Sequence, residues 1–204
     1  EDFPRRTKVQ SFDEIRVQDV AEKQKVGWDR KEGFLGLNVK SGSTSFYCSA
    51  YDKIVVIRKD GSYQVIRVPE KQFVGKDAIS VEKLNQETVH NVIYWEGASK
   101  VCYAKRFRVE KFILDREYNL FPKKKGAKIL HLSQGEGIKL EVSFVPTPRI
   151  RKSSDTYNLD DLGIKGIQAR GNKVSSKSVQ NVKVTASELE EEGWPSLSEE
   201  SENL

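Results

Sequence analysis

Four glycines in predicted turns recur at a nearly constant spacing along the chain. They are Gly61, Gly97, Gly135 and Gly171, which lie 36, 38 and 36 residues apart, and Gly27 precedes the first of them by 34. The Asp-Gly pair that ends at Gly61 is a strong signal for a tight β-hairpin turn. A period of this size, with a hairpin in each unit, predicts a radial or stacked array of small sheets, because one hairpin cannot bury its apolar face alone. A meander with accidental spacing is the alternative.

Segments rich in β-branched and aromatic residues predict strands between these turns. From about Lys25 onward the chain consists of such segments, which predicts an all-β fold with about four hairpin-based units. The predicted strands are Phe34–Lys40, Phe46–Ala50, Lys53–Arg58, Tyr63–Val68, Ile79–Leu84, Val89–Trp95, Val101–Val109, Lys128–Leu132, Ile138–Val145 and Gln180–Thr185. Ahead of them, the capping-box pattern from Ser11 to Glu14 predicts a short helix or turn.

Composition divides the chain into three parts. Residues 1–24 form an N-terminal extension, residues 25–185 the β domain, and residues 186–204 an acidic tail. The tail holds seven glutamates and no lysine or arginine. Because glutamate, serine, glycine and proline dominate it, we expect the tail to be disordered.

The overall charge hides a strongly basic domain. The whole chain has 35 basic and 30 acidic residues, a formal charge of +5. Without the tail, 35 basic residues remain against 23 acidic ones, which gives +12 on residues 1–185. Such a domain favours a polyanionic partner, most often nucleic acid, and solubility alone is the competing explanation. A tail of opposite charge that competes with the polyanion is a further hypothesis.

Several classes of protein are disfavoured by the sequence. The longest aliphatic run is Ile54–Ile57, far shorter than a membrane span, and no signal peptide pattern is present. Cys48 and Cys102 belong to no CxxC pair, which fits buried thiols in a reducing cytoplasm, with a disulfide between the two as the alternative. With two histidines and no cysteine cluster, we expect no metal site. The chain begins at Glu1 and has no methionine, so we expect it to be part of a longer protein.

Basic residues recur on or beside the predicted strands of each unit. On a curved rim they could neutralise the phosphates of a duplex, with binding that is sensitive to salt and largely blind to base sequence. We expect the aromatic residues of the strands to pack in the core instead of stacking on bases. The candidate DNA contacts are Arg58, Lys59, Arg67, Lys105, Arg106, Arg108, Lys123, Lys124, Lys125, Arg149, Arg151, Lys165, Gln168, Arg170, Gly171, Lys173 and Lys177.

The segment from Gln168 to Lys173 is the most informative part of this set. It is a glycine-containing loop with two positive side chains, Arg170 and Lys173. Backbone N–H groups and cationic side chains in such a loop could clamp a phosphate. A Gly-Asn turn flanked by basic residues is also common on protein surfaces.

Several motifs, in order along the chain, resemble the C-terminal domain of the A subunit of bacterial type IIA topoisomerases. The similarity is greatest to the topoisomerase IV A subunit in its Bacteroidetes- or Chlamydia-like form, and it runs from residue 1 to about 185. The motifs are EDFPRRT at 1–7, EGFLG at 32–36, DGSYQV at 60–65, FVGK at 73–76, YAKRF at 103–107 and DREY at 115–118. The resemblance implies a β-pinwheel, a propeller-like disc of β blades, closed or open, with DNA on its basic rim.

The resemblance also implies a function. Gyrase A subunits carry a box, Gln-Arg-Arg-Gly-Gly-Lys-Gly, of which residues 168–174 keep four of seven positions, with Ala169, Asn172 and Val174 as the departures. This degenerate box favours topoisomerase IV, whose C-terminal domain presents DNA crossings to the catalytic core for decatenation and relaxation of supercoils. A gyrase-type wrapping domain and a protein-interaction module are the alternatives.

The same resemblance implies what the fragment lacks. The family nucleophile is a tyrosine directly after an arginine, and no tyrosine here follows an arginine. We therefore expect no catalysis and no cofactor in this fragment, with Mg and ATP used by the holoenzyme. The implied partners are double-stranded DNA, the ATPase B subunit, and the rest of a homodimeric A subunit, without a membrane. The implied location is the cytoplasm, in association with the nucleoid.

Overall fold

The computed structural model describes residues 21–40, 42, 44–97, 99, 101–123, 125–146, 153–175 and 179–186. These residues form sixteen strands and one short 3₁₀ turn at Leu159–Asp161, which confirms the all-β prediction. The chain divides into two compact units, unit 1 (Glu1–Leu84 and Phe112–Tyr118) and unit 2 (Asn85–Lys111 and Asn119–Leu204). The predicted N-terminal helix and the acidic residues of the tail lie outside the described residues.

The strands form four small sheets in the described part of the chain. The first sheet has the order β3-β1-β2-β6, the second β10-β5-β4-β7, the third β11-β8-β9-β14 with β15 also on β9, and the fourth β13-β12-β16. The strands are β1 (Gln24–Asp29), β2 (Phe34–Gly36), β3 (Thr44–Cys48), β4 (Lys53–Arg58), β5 (Ser62–Arg67), β6 (Gln72–Phe73), β7 (Ala78–Lys83), β8 (His90–Glu96), β9 (Val101–Phe107), β10 (Glu117–Asn119), β11 (Lys128–Gln134), β12 (Lys139–Phe144), β13 (Ser154–Asn158), β14 (Ile164–Lys165), β15 (Asn172–Ser175) and β16 (Val179–Ala186).

All four sheets follow one topological rule. Each begins with an antiparallel hairpin (β1–β2, β4–β5, β8–β9 and β12–β13), and a later strand returns to pair with the first strand of that hairpin. The returning strands are β3, β7, β11 and β16. Between the hairpin and the returning strand, the second and third repeats each have one short strand that pairs with the preceding sheet, as β6 does with β2, and the fourth repeat has two, β14 and β15. This exchange covers strand edges that would otherwise stay open.

The evenly spaced glycines mark this repeat only in part. Gly61, with φ of 86°, and Gly97 lie in the β4–β5 and β8–β9 hairpin turns, as predicted. Gly27 instead lies inside β1, where a Cβ would come 2.0 Å from the carbonyl oxygen of Val39. Gly135 leads from the third sheet into the fourth, and Gly171 precedes β15, so neither closes a hairpin.

The repeat is therefore topological and has no fixed length. The first strands of the four hairpins begin at residues 24, 53, 90 and 139, which are 29, 37 and 49 residues apart. Loops grow toward the C-terminus while the pairing rule stays the same. The constant glycine spacing was accidental at three of its five positions.

Most predicted strands lie where we expected them. Lys53–Arg58 matches β4, and its Ile54, Val55, Val56 and Ile57 are fully buried because both faces of this central strand are covered. The strand predicted from Phe34 ends early at Gly36, where φ is +152° and a Cβ would meet the Glu70 carbonyl oxygen at 2.3 Å. The missed strands β1, β6, β10, β13, β14 and β15 are short or polar, and mostly lack an apolar pattern.

Each unit has its own hydrophobic core. In unit 1, Val26, Trp28 and Leu35 of the first sheet pack with Ile54 and Val56 of the second. In unit 2, Ile93 and Ala104 of the third sheet pack with Leu140 of the fourth and with Leu159. Burial of each large aliphatic side chain contributes roughly 1.5–3 kcal/mol.

Both cysteines are free and buried, Cys48 in unit 1 and Cys102 in unit 2. Burial raises the pKa of the Cys48 thiol to about 11 and that of Cys102 to about 12. Among the described residues, no helix has the length and apolar character that crossing a membrane requires.

Most strand aromatics pack in the interior, as expected. Tyr94 stacks between Phe121 at 3.9 Å and Tyr103 at 5.4 Å between ring centroids. Tyr47 is an exception, since it is 62% exposed on the edge strand β3.

Candidate nucleic-acid interface

Exposed lysines collect at one end of the third sheet. We call this end, formed by the β8–β9 turn and the loop that leads into β11, the turn end. Gly97 of the turn touches the loop, because a Cβ there would lie 2.8 Å from the carbonyl oxygens of Lys125 and Gly126. Lys123, Lys125 and Lys128 are exposed, and Lys128 begins β11 opposite Trp95.

The degenerate box lies on the edge of β9 beside this end. β14 pairs with β9 in parallel, and β15 pairs with it antiparallel so that Lys173 faces Tyr103. Gly171 donates its backbone N–H to the hydroxyl oxygen of Tyr94 at 2.9 Å. A Cβ at Gly171 would come 2.7 Å from the carbonyl oxygen of Ala104, so this close approach requires glycine.

Arg170 points back into the unit. Its guanidinium lies 2.8 Å from the Glu96 carboxylate and donates to the Tyr103 hydroxyl at 2.5 Å. It also stacks 4.5 Å from the centroid of the Tyr103 ring. The Glu96 side chain is only 3% exposed and also accepts a hydrogen bond from Ser99. The Arg170 side chain is itself 46% exposed, so the ion pair has a buried carboxylate and a guanidinium that reaches the surface.

Lys105 is not on the surface at all. It is 1% exposed, and its ammonium donates to the carbonyl oxygens of Leu120 at 2.6 Å and Ile167 at 2.5 Å. Burial lowers the pKa of Lys105 to about 7, and the positive charge of Lys165 lowers it further in the same direction. Because a charged lysine without a carboxylate partner is costly in such surroundings, this residue serves the interior.

Two arginines of the expected rim hold neighbouring segments together instead. Arg106 is 6% exposed and lies 3.2 Å from Glu136 and 3.5 Å from Asp160. Arg58 in unit 1 donates to the Val74 carbonyl oxygen at 3.0 Å and pairs with Glu117 at 3.2 Å. Their charges are therefore largely compensated within the unit that contains them.

The other candidates are divided between exposed, half-buried and undescribed positions. Lys59 and Gln168 are exposed in turns, Lys173 is exposed on β15, and Arg67 is exposed at the far end of β5 from its turn. Arg108 and Lys165 are half-buried, and the Lys165 ammonium donates to Asn172 at 2.5 Å. Lys124, Arg149, Arg151 and Lys177 lie outside the described residues.

Sequence reasoning missed basic residues at the corresponding ends of the sheets. The pattern around Lys128 predicts only the start of a strand, although its exposed position next to the loop adds to the turn end. Arg30, Lys31 and Lys40 lie likewise around the β1–β2 turn and the approach to β3. A basic residue at a hairpin turn or just before a returning strand is the sequence pattern that would identify these residues.

The third sheet has the largest excess of positive charge at its turn end among the described residues. Among the described residues around this end, five basic side chains stand against one carboxylate, that of Glu96; they are Lys123, Lys125, Lys128, Arg170 and Lys173. At the second sheet, Lys59 and Lys76 are equal in number to Asp60 and Asp77, and Lys76 lies 3.5 Å from the Glu32 carboxylate. At the first, three basic residues face Asp29 and Glu32. Side chains of this kind around one turn can bind several phosphates of a duplex.

Comparison with known proteins agrees with this architecture. The A subunit of DNA topoisomerase 4 from Borreliella burgdorferi is 33% identical over 119 residues, which is 56% of this chain and 19% of that protein. The chain thus matches about a fifth of the length of this relative. A crystal structure of the C-terminal domain of DNA topoisomerase IV superposes with a TM-score of 0.58 at 11% identity, over 82% of this chain and 62% of that one.

The structural match at this level of identity shows a shared fold, and it confirms the β-pinwheel class expected from the sequence. A family model described as the topoisomerase C-terminal domain of Bacteroidota matches residues 25–186. The match spans most of the chain, including all four sheets, so the chain belongs to the family of bacteroidotal topoisomerase C-terminal domains.

Proposed function

We propose that this chain binds duplex DNA without base specificity, as the C-terminal domain of a topoisomerase IV A subunit. It holds phosphates at the turn end of the third sheet and bends DNA, presenting crossings to the catalytic core for decatenation and relaxation of supercoils. Its partners are double-stranded DNA, the ATPase B subunit, and the remainder of a homodimeric A subunit. Cleavage, Mg and ATP belong to those other parts, and the whole enzyme works in the cytoplasm on the nucleoid.

The single observation that supports this proposal is the charge at the turn end. Lys123, Lys125 and Lys128 are exposed there, Lys173 is exposed beside it on β15, and the four make no ion pair within the described residues. In the part of the chain that the structure describes, one carboxylate opposes them, that of Glu96, and it is already paired with Arg170. A surface of this kind attracts polyanions at long range and loses affinity as salt rises.

The test is the affinity of the full chain for a short duplex across a salt series. The triple substitution Lys123→Gln, Lys125→Gln and Lys128→Gln should reduce the slope of log affinity against log salt by about 0.9 for each phosphate that is no longer neutralised. The matched control, Lys59→Gln with Lys76→Gln, removes exposed lysines from the charge-balanced turn of the second sheet and should change the slope less. A slope unaffected by the triple substitution contradicts the proposal.

A protein-interaction role is the second candidate. Unit 1 exposes large apolar side chains, with Tyr47, Tyr51, Phe73 and Ile113 between 57% and 62% exposed. Exposed residues of this kind are common at protein contacts. If the full chain fails to bind duplex DNA even at low salt, this candidate takes the place of the first.

A gyrase-type wrapping domain has less support. Three of the seven box positions depart from the gyrase pattern, and the box arginine that remains, Arg170, is engaged with Glu96. Wrapping would require this chain to change the superhelicity of the bound DNA. A topology assay with closed circular DNA, the isolated chain and a relaxing enzyme distinguishes wrapping from simple bending.

A further inference from the structure

The segment from Lys165 to Lys173 is tied down along its length. At its start, β14 pairs with β9, and the Lys165 ammonium donates to Asn172 and to the Arg170 carbonyl oxygen at 3.4 Å, which closes the loop on itself. At its end, Gly171 is bonded to Tyr94 and β15 pairs with β9. A loop made to adapt to a ligand would have fewer internal bonds.

Releasing Arg170 toward a phosphate would be costly. The guanidinium would leave a carboxylate that is 3% exposed and would lose its stacking on Tyr103. Glu96 is the buried side of this pair, and taking a cation away from a buried carboxylate is destabilising because the carboxylate keeps its desolvation cost. A phosphate on the surface offers a solvated contact in exchange, which is worth much less.

The ion pair leads directly to the lysine-bearing loop. Glu96 is the last residue of β8, and Gly97 follows it in the turn that touches Lys125 and Gly126. Arg170, Glu96, the turn and the loop are thus in continuous contact within unit 2. Fixing Glu96 therefore fixes the backbone against which the lysines of the turn end are presented.

We propose that residues 165–173 form a clamp that holds the turn end of the third sheet in its phosphate-binding geometry, with Arg170 as a positioning residue and not a phosphate ligand. This inference rests on the proposed DNA binding for its effect on affinity. The other part of the inference, that the segment closes over the third sheet, does not depend on DNA binding. Of the box positions that this chain keeps, Arg170 and Gly171 make internal contacts, whereas Lys173 is exposed.

Lys105 reports whether the clamp is closed. Its ammonium lies beneath the segment and donates to Ile167 of the clamp and to Leu120. The charged group that acts on it from the clamp is Lys165, and the ring of Phe107 lies 5.4 Å away on its own strand. When the clamp opens, water reaches the ammonium, and the pKa of Lys105 moves from about 7 toward its ordinary value of 10.5.

The experiment compares Arg170→Gln, Arg170→Lys and the surface control Lys128→Gln in the full chain. Affinity for a short duplex is measured across a salt series, and the Lys105 titration is followed by NMR of its side chain. Arg170→Gln should weaken binding by about 2- to 30-fold at every salt concentration without changing the slope. It should also raise the pKa of Lys105. Arg170→Lys keeps the charge but loses the planar guanidinium and its stacking. It should bring both the DNA affinity and the pKa of Lys105 partway back to their values in the parent chain.

The experiment distinguishes a clamp from a direct contact between Arg170 and a phosphate. Lys128→Gln should lower the salt slope by about 0.9 and leave the Lys105 titration unchanged. If Arg170→Gln lowers the slope by that amount and Lys105 titrates as before, Arg170 is a phosphate ligand and the clamp is wrong. If the unsubstituted chain binds no DNA but Arg170→Gln still shifts Lys105, the proposed function fails and the clamp survives as a structural element.

Should Arg170→Gln unfold unit 2, the double variant Glu96→Gln with Arg170→Gln replaces it. This variant removes both charges of the pair, so no buried carboxylate is left without its cation. It should fold, open the clamp and shift the Lys105 titration in the same direction. A double variant with a normal Lys105 titration contradicts the clamp.

Discussion

Basic side chains in this protein differ in what surrounds them. Arg106 lies among Glu136 and Asp160 inside unit 2, whereas Lys125 and Lys128 face solvent at the turn end. Each buried cation is matched by carboxylates or carbonyl oxygens, as desolvated charge requires. Lys125 and Lys128 make no such match within the described residues, so their charge acts on the surroundings.

Lys105 should make the stability of unit 2 depend on pH. Its pKa is about 7 in the folded chain against an ordinary 10.5, so above pH 7 the unfolded chain binds more protons and stability rises with pH. The window to measure is pH 7 to 8, a full unit below the ordinary pKa of 9.0 of the cysteines, whose ionisation in the unfolded chain would oppose this trend. Lys105→Met should flatten this rise in urea unfolding, while Lys59→Met should leave it intact. Equal slopes for Lys105→Met and the parent chain would contradict the assignment.

Gly171→Ala should weaken the pairing of β15 with β9. The added methyl group would meet the Ala104 carbonyl oxygen at 2.7 Å, and overpacking of this kind costs about 1–3 kcal/mol. Gly166→Ala is the matched control, since nothing lies within 4 Å of its Cβ position. The measurement is the urea midpoint of each variant, and equal midpoints for the two would rule out the close approach.

At the scale of the strands and the bends that join them, one carboxylate can stabilise a bend through its hydrogen bonds. Asp52, in the bend between β3 and β4, accepts the Ser49 backbone N–H at 2.7 Å and pairs with Lys83 of β7 at 2.9 Å. It thereby joins the end of the first sheet to the returning strand of the second. Burial alone would raise the pKa of Asp52, but the hydrogen bonds from Lys83 and Ser49 outweigh it, and the pKa is lowered.

Asp52→Asn should therefore destabilise unit 1 by about 1–3 kcal/mol near neutral pH. Because the folded pKa lies below the ordinary 3.8, the contribution of Asp52 is present above that value and disappears as pH falls through the folded pKa. The variant and the parent should then approach each other in stability in acid. Urea unfolding at pH 7 and pH 3 measures both effects, and a constant difference between the two chains would contradict the role of the charge.

At the scale of the whole molecule, charge is distributed unevenly along the chain. Residues 1–185 carry a formal +12, and the seven glutamates of the tail reduce the total to +5. Long-range attraction of a polyanion depends on this total as well as on local contacts. The tail lies outside the described residues, so its effect is a prediction from sequence.

A chain that ends at residue 185 should bind duplex DNA more tightly than the full chain at low salt. The gap should close as salt rises, because added ions screen the glutamates. Affinity of the two chains across a salt series measures this directly. Identical affinities at low salt would show that the tail does not compete with DNA.

Local sequence was enough to predict the all-β class, most strand positions and the two hairpin turns at Gly61 and Gly97. These features follow from contacts between near neighbours: β-branched residues favour extended backbone, and Asp-Gly favours a tight turn. The family resemblance added the β-pinwheel. The short exchanged strands such as β6 and β14 were missed because they have little pattern of their own and exist only where another sheet offers an edge.

The composition of the sequence established that the domain is strongly basic, but only the tertiary structure decided which basic residues reach the surface. Arg106 meets Asp160 across 54 residues of sequence, and Arg170 meets Glu96 across 74. Nothing near Arg170 in the sequence announces a buried carboxylate, since the pairing arises from the β15–β9 register. Whether a charge binds a partner or stabilises the fold depends on such distant neighbours, because burial and ion pairing are set by packing in three dimensions.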